Sequence, residues 1–267
     1  MTTDAFRPQK LRHPIRMRLL QVRRVQALSP TLRRITLTGD DLDGFLPASF
    51  DDHVKLFVPH ATGERPALPS VGPEGLVFPE GKPRPETRDY TPRRYDPDAN
   101  ELDLDFVLGH PGPATDWASA AEPGHYLGVA GPRGSIVIPM AFDWYLLAGD
   151  ETALPAITRR LEELPASARA IVVVKTQDAD GRIPLRGACT IEQHWIVDGD
   201  GDAGAFVDAL RGITLPTGEG HAWAAGEYSD IKTLRRHLVE ERGIHKDRVR
   251  AASYWRRSAV NSHEHFD

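Results

Sequence analysis

The pattern of apolar residues changes near residues 139–143, and that change limits the possible folds more than any other feature of the chain. Before it, apolar residues come in short alternating stretches. Examples are L-R-R-I-T-L-T (Leu32–Thr38), H-V-K-L-F-V-P (53–59) and E-L-D-L-D-F-V-L (101–108), with Gly and Pro between them. A period of two in short segments broken by turn residues predicts antiparallel strands closing into a barrel or sandwich. After it come continuous apolar runs, W-Y-L-L-A-G-D and A-I-V-V-V-K, each followed by helical spacing or another run. Leu154, Ile157, Leu161 and Leu164 lie on one helical face, and 229–242 reads as an amphipathic helix. Such alternation predicts a doubly wound sheet of parallel strands. The expected organisation is therefore a β-barrel domain, 1–141, followed by an α/β domain, 142–267. Residues 66–85 hold six prolines and read as a loop.

Composition excludes several classes. At 267 residues and 40% apolar, the chain can bury two cores. A net charge of −5 gives no general attraction to nucleic acid. The single cysteine, Cys189, allows no intrachain disulfide and no cysteine-bound metal cluster. Apolar runs such as 171–174 are far too short to span a bilayer, and the first residues lack the apolar stretch of a secretory signal. A cytoplasmic monomer with no membrane partner is the expectation. His263 and His265 in the tail read as solvated residues, not as metal ligands.

Three stretches of the first half suggest chemistry. R-D-Y-T-P-R begins at Arg88. An arginine fork suits phosphate, the ring of Tyr90 can lie against a flat heterocycle, and Thr91 can bond to its edge. The same residues could equally form a surface strand with a satisfied arginine and a barrel aromatic. G-H-P-G-P-A-T-D-W-A (109–118) reads as a Gly/Pro turn opening a short helix, whose N-terminal N–H groups suit phosphate or simply need a cap. A-G-P-R-G-S ends a strand and exposes Arg133 between two glycines, as a ligand contact or as a solvated turn.

In the second half, Gly149-Asp150-Glu151-Thr152 and Gly226-Glu227 lie at the carboxyl ends of strands, where open α/β sheets bind ligands. Neither is a G-x-G-x-x-G fingerprint. Acids there suit ribose or nicotinamide better than pyrophosphate, and they also suit helix caps. Lys175, at the end of the next strand, could accept a 2′-phosphate, which leans toward NADPH, or could be solvated. Tyr254 and Trp255 could cover a flavin or pack the last strand.

These motifs, preceded by D-D-H-V-K-L-F and followed by R-V-R-A-A-S-Y-W-R-R, occur in one order across residues 16–257. The chain resembles the siderophore-interacting protein family of flavin-dependent ferric-siderophore and ferric-chelate reductases. The resemblance implies a ferredoxin-reductase-like fold with FAD on the barrel and NAD(P)H on the α/β domain. It implies that Arg88, Tyr90 and Thr91 form the flavin motif and that Ala114 and Thr115 cradle the pyrophosphate. Asp105, Val107 and His110 would line the adenosine side, and Ser135 and Trp255 would also touch cofactor. An anionic ferric siderophore or small ferric chelate would meet Lys55, Arg133 and Arg250, or Arg248 if the strand phase differs by one. No catalytic residue beyond the flavin is implied. Two other readings share these features: a flavin reductase serving another acceptor, and a siderophore-binding module without catalysis. NADH, NADPH and reduced ferredoxin all stay open as donors.

Overall fold

The computed structural model describes residues 5–73, 75–198, 202, 204–257 and 264–266, so His263 lies outside the described residues. The chain forms two compact units, one of Pro8–Ile138 and the other of Pro139–Asp267 joined by the first residues through Arg7.

The first unit contains β1 (Gln9–Arg12), β2 (Met17–Ala27), β3 (Leu32–Thr38), β4 (Val54–Val58), β5 (Ser70–Gly72) and β6 (Gly75–Val77). It continues through β7 (Glu86–Tyr90), β8 (Pro92–Asp96), β9 (Glu101–Val107), α1 (Pro113–Ala120), β10 (Tyr126–Ala130) and β11 (Gly134–Val137). Seven strands form one sheet in the order β7-β4-β10-β2-β3-β9-β8, with every neighbouring pair antiparallel. Its two edge strands are consecutive in the chain, joined only by Thr91. One residue cannot cross a flat sheet of that width, so the sheet must curl until its edges approach. Pro92 begins an edge strand, where its missing N–H costs no ladder bond. The alternation read in β9 places Leu102, Leu104 and Phe106 in the barrel core with Leu20, Ile35, Leu56 and Val129. Trp117, Ala114 and Ala118 of α1 join the same core. The stretch expected to be a loop carries the two-stranded β5–β6 ribbon, whose three-residue strands are too short to show a period.

The second unit contains β12 (Trp144–Asp150), α2 (Leu154–Glu163), β13 (Arg169–Thr176), β14 (Thr190–Val197) and α3 (Ala205–Arg211). β15 (Gly220–Glu227), α4 (Tyr228–Arg236), β16 (Val249–Trp255) and β17 (Glu264–Phe266) complete it. The strand order is β14-β13-β12-β15-β16-β17. The first five are parallel, and β17 adds an antiparallel edge that the sequence pattern did not predict. The order reverses between β12 and β15, and that crevice is where such sheets bind ligands. The continuous apolar runs arise because β12 and β15 are buried along their whole length. The helix expected over 229–242 is α4 followed by a π-type turn at His237–Glu241.

Candidate functional site

In the first unit, Arg88 lies on edge strand β7. Its Nη1 donates to the Thr87 carbonyl at 2.7 Å and meets Glu86 at 3.4 Å. Its Nε and Nη2 have no partner among the described residues, so most of the fork is available. Tyr90, at the end of β7, packs on the barrel core with its ring 4.5 Å from that of Phe106. Burial pushes its phenol well above the usual range, against the pull of nearby Arg88 and Thr115, so it stays a neutral hydrogen-bonding group. The flavin-motif strand thus ends beside α1, with which it is in contact. Thr91 is buried at the junction of the two edge strands.

α1 begins at Pro113, after Gly112, and no side chain caps its N-terminus. Pro113 has no N–H to lose. The N–H groups of Ala114 and Thr115 therefore remain for a ligand or water. A Cβ added at Gly112 would meet nothing within 4 Å, so the approach is open. Arginine fork, uncapped helix and phenol together fit the phosphates and flat ring of FAD. Val107 ends β9, and His110 is half-buried in the turn before α1. Asp105 is committed to Arg34 by two bonds of 2.7 and 2.8 Å and is 4% exposed, so its carboxylate is already held. Ser135 is likewise engaged, donating to Asp52 at 2.7 Å and bonded to His13 at 2.8 Å. A single strand read by itself could not reveal these cross-strand partners.

Of the expected substrate contacts, Lys55 pairs with Asp89 at 2.7 Å on an exposed face. Such a pair is worth about 0–1 kcal/mol and opens readily to an anion. Arg133 is exposed, and its side chain has no partner among the described residues. Arg250 is half-buried on β16 of the second unit, where Arg248 is taken up by Glu219.

At the crevice of the second unit, Asp150 is a hub rather than an open acid. It accepts from Thr152 N at 2.9 Å, Thr152 Oγ1 at 2.5 Å, Glu227 N at 2.9 Å and Trp255 Nε1 at 2.8 Å. Three strand ends are thereby fixed by one carboxylate. Close approach explains the adjacent glycines. A Cβ at Gly149 would lie 2.3 Å from the Ala225 carbonyl, and one at Gly226, where φ is +148°, would lie 2.5 Å from Asp150 Oδ2. Glu151 is buried. Glu227 caps α4, accepting from Ser229 N at 2.7 Å and Asp230 N at 3.2 Å.

Lys175 does not stand open at the end of β13 as its sequence position suggested. It is 6% exposed, bonded to Asp230 and 3.4 Å from Asp198. Burial pushes the Asp230 carboxyl up, against the pull of Lys175 and Arg257. Sequence reasoning missed Asp230. An acid in the first turn of a helix that opens at the crevice is the signal that could have found it.

Known proteins share these features over nearly the whole chain. The profile of the siderophore-interacting FAD-binding domain matches residues 21–136, and that of the siderophore-interacting protein matches residues 142–258. An NADPH-dependent ferric-chelate reductase of Escherichia coli K12 is 40% identical, over 93% of this chain and 96% of its own. The chain belongs to the siderophore-interacting protein family. Within that family, the ferric vibriobactin reductase ViuB of Vibrio cholerae is 34% identical over 90% of this chain and 89% of its own. The crystal structure of a siderophore utilization protein from T. fusca superposes with a TM-score of 0.86 at 36% identity, covering 96% of this chain and 98% of that one. The fold is ferredoxin-reductase-like, an antiparallel barrel followed by a parallel α/β sheet.

Proposed function

We propose that this protein is a ferric-chelate reductase that passes electrons from NAD(P)H through FAD to Fe(III), held by a siderophore or small chelate, and so releases Fe(II). Residues 1–141 are assigned to FAD and residues 142–267 to the nicotinamide nucleotide. FAD, when bound, takes electrons in pairs from a nicotinamide and gives them up singly to iron. The chain supplies position and charge. Arg88 and the N–H groups of Ala114 and Thr115 hold phosphate, while Tyr90 and Thr91 orient the flat ring. Lys55, Arg133 and Arg250 attract an anionic chelate. Asp150 and the glycines beside it shape the crevice for the nucleotide.

The observation that carries this reading is the largely open Arg88 fork on edge strand β7, packed beside the uncapped N-terminus of α1. Its support from relatives is that the Escherichia coli and Vibrio cholerae proteins are named for ferric-chelate and ferric vibriobactin reduction. Among the described residues no helix is long and apolar enough to cross a membrane. A cytoplasmic monomer completes the proposal, since NAD(P)H is drawn from that compartment.

An anaerobic stopped-flow experiment tests it. NAD(P)H should bleach the bound flavin, and ferric citrate or a ferric catecholate should restore its colour. Flavin that bleaches but is not reoxidised by any ferric chelate would point to another acceptor. Arg88→Ala should weaken FAD binding about 10- to 100-fold, the equivalent of one charge-assisted bond of about 1.5–3 kcal/mol. The melting temperature of the apoprotein should barely move. Unfolding of the variant with FAD affinity intact would refute the assignment.

A further inference from the structure

In a sheet of this order, the end of the second strand is where the adenosine ribose is read. An acid there suits the free diol, and a base suits a 2′-phosphate. That strand is β13. Its one base near the end, Lys175, is enclosed by carboxylates: Asp230, which is fully buried, and Asp198, which follows β14. The ring of Phe206 lies 5.3 Å from the ammonium. Arg257 Nη2 also stands 3.8 Å from Asp230, so two cations face two carboxylates and the cluster presents no surplus positive charge. One oxygen of Asp230 is buried without a hydrogen-bond partner, which adds acceptor capacity and no donor for phosphate. Beyond Thr176 the chain exposes Asp178 and Asp180 before it reaches another base, Arg182.

We propose that this protein does not select NADPH over NADH, because Asp198 and Asp230 withdraw Lys175 from 2′-phosphate recognition. The inference rests on the reductase reading and concerns only which donor it prefers. Both nucleotides serve, with NADPH no more than threefold better. Lys175 is a positioning residue that neutralises Asp230 and holds α4 to the end of β13.

The test compares the two donors on the FAD-loaded protein with ferric citrate as acceptor. The kcat/KM for NADPH should be no more than three times that for NADH. Calorimetric titration of the same protein with ADP-ribose and with its 2′-phosphate should give affinities within the same threefold range. Lys175→Gln should change KM for both donors by the same factor, and a loss confined to NADPH would overturn the proposal. Asp198→Asn frees part of the ammonium and should tilt KM toward NADPH severalfold. It also serves if Lys175→Gln fails to fold, because an unchanged donor ratio in Asp198→Asn would sink the idea. A native preference for NADPH above threefold overturns it too, whether Arg182 or another base is responsible. If neither donor reduces the flavin, the reductase reading fails, while the calorimetric ratio still decides the specificity.

Discussion

Tyr90 contributes at both ends of its side chain. Its ring packs against Phe106 in the barrel core, and its hydroxyl lies near Thr115 in the first turn of α1. Tyr90→Phe keeps the packing and removes only the hydroxyl. The expected cost is about 1 kcal/mol of stability, since Thr115 can turn to water at the open helix end. FAD affinity should fall more than stability does, because the hydroxyl lies at the proposed flavin site while the core is untouched. Fluorescence titration of FAD beside a thermal melt separates the two, and a melt that falls with unchanged FAD affinity would contradict the role. The R-D-Y-T stretch stood out as a candidate because fork, ring and hydroxyl lie within four residues. The partners of Asp105 and Lys175 did not. Each of these two is held by a residue far along the chain, Arg34 and Asp230, and no local pattern reports a partner 55 or more positions away.

Strand β9 shows what the period of two could and could not convey. Its apolar residues enter the barrel, as read. A period of two alone would put its acids on a solvated face, yet Glu101 and Asp103 are buried beneath arginines. Glu101 accepts from Arg24 at 2.5 and 2.8 Å and from Arg94 at 2.5 Å, which brings its carboxyl down to about 2 from an ordinary 4.5. A depressed folded value means that the carboxylate's contribution is complete above about pH 4.5. It is lost as pH falls through about 2. Glu101→Gln should therefore lower the melting temperature at pH 7 by about 5 °C, for a loss of about 2 kcal/mol, and should change it little near pH 2. Melts recorded across that range decide it, and an equal deficit at both ends would show that shape rather than charge matters. The β5–β6 ribbon and the π-type turn after α4 escaped prediction for a related reason. Three-residue strands carry no measurable period, and one extra residue in a helical turn leaves the amphipathic pattern almost intact.

At the scale of the molecule, the barrel core and the core on one face of the parallel sheet share no residues. One is built on the barrel leucines with Phe106 and Trp117, the other on the β12, β13 and β15 runs with Phe206 and Leu234. The switch from a period of two to continuous runs was visible because the two sheets bury different numbers of faces, one for the barrel and two for the parallel sheet. Separate cores also mean that each ligand should stabilise mainly the unit that binds it. A ligand at 100 times its Kd adds about 2.7 kcal/mol to the opening of the segments it touches. Hydrogen exchange followed by mass spectrometry can read that segment by segment. FAD should slow exchange in β7 and in the first turn of α1 by roughly a hundredfold, with little change in the apolar middle of β12. ADP-ribose should act in reverse, protecting the ends of β12, β13 and β15 and leaving β7 as it was. FAD protection confined to the ends of β12 and β15 would move the flavin off the barrel and undo the assignment of Arg88, Tyr90 and Thr91 together. No single substitution tests all three at once, because each can fail through local packing alone.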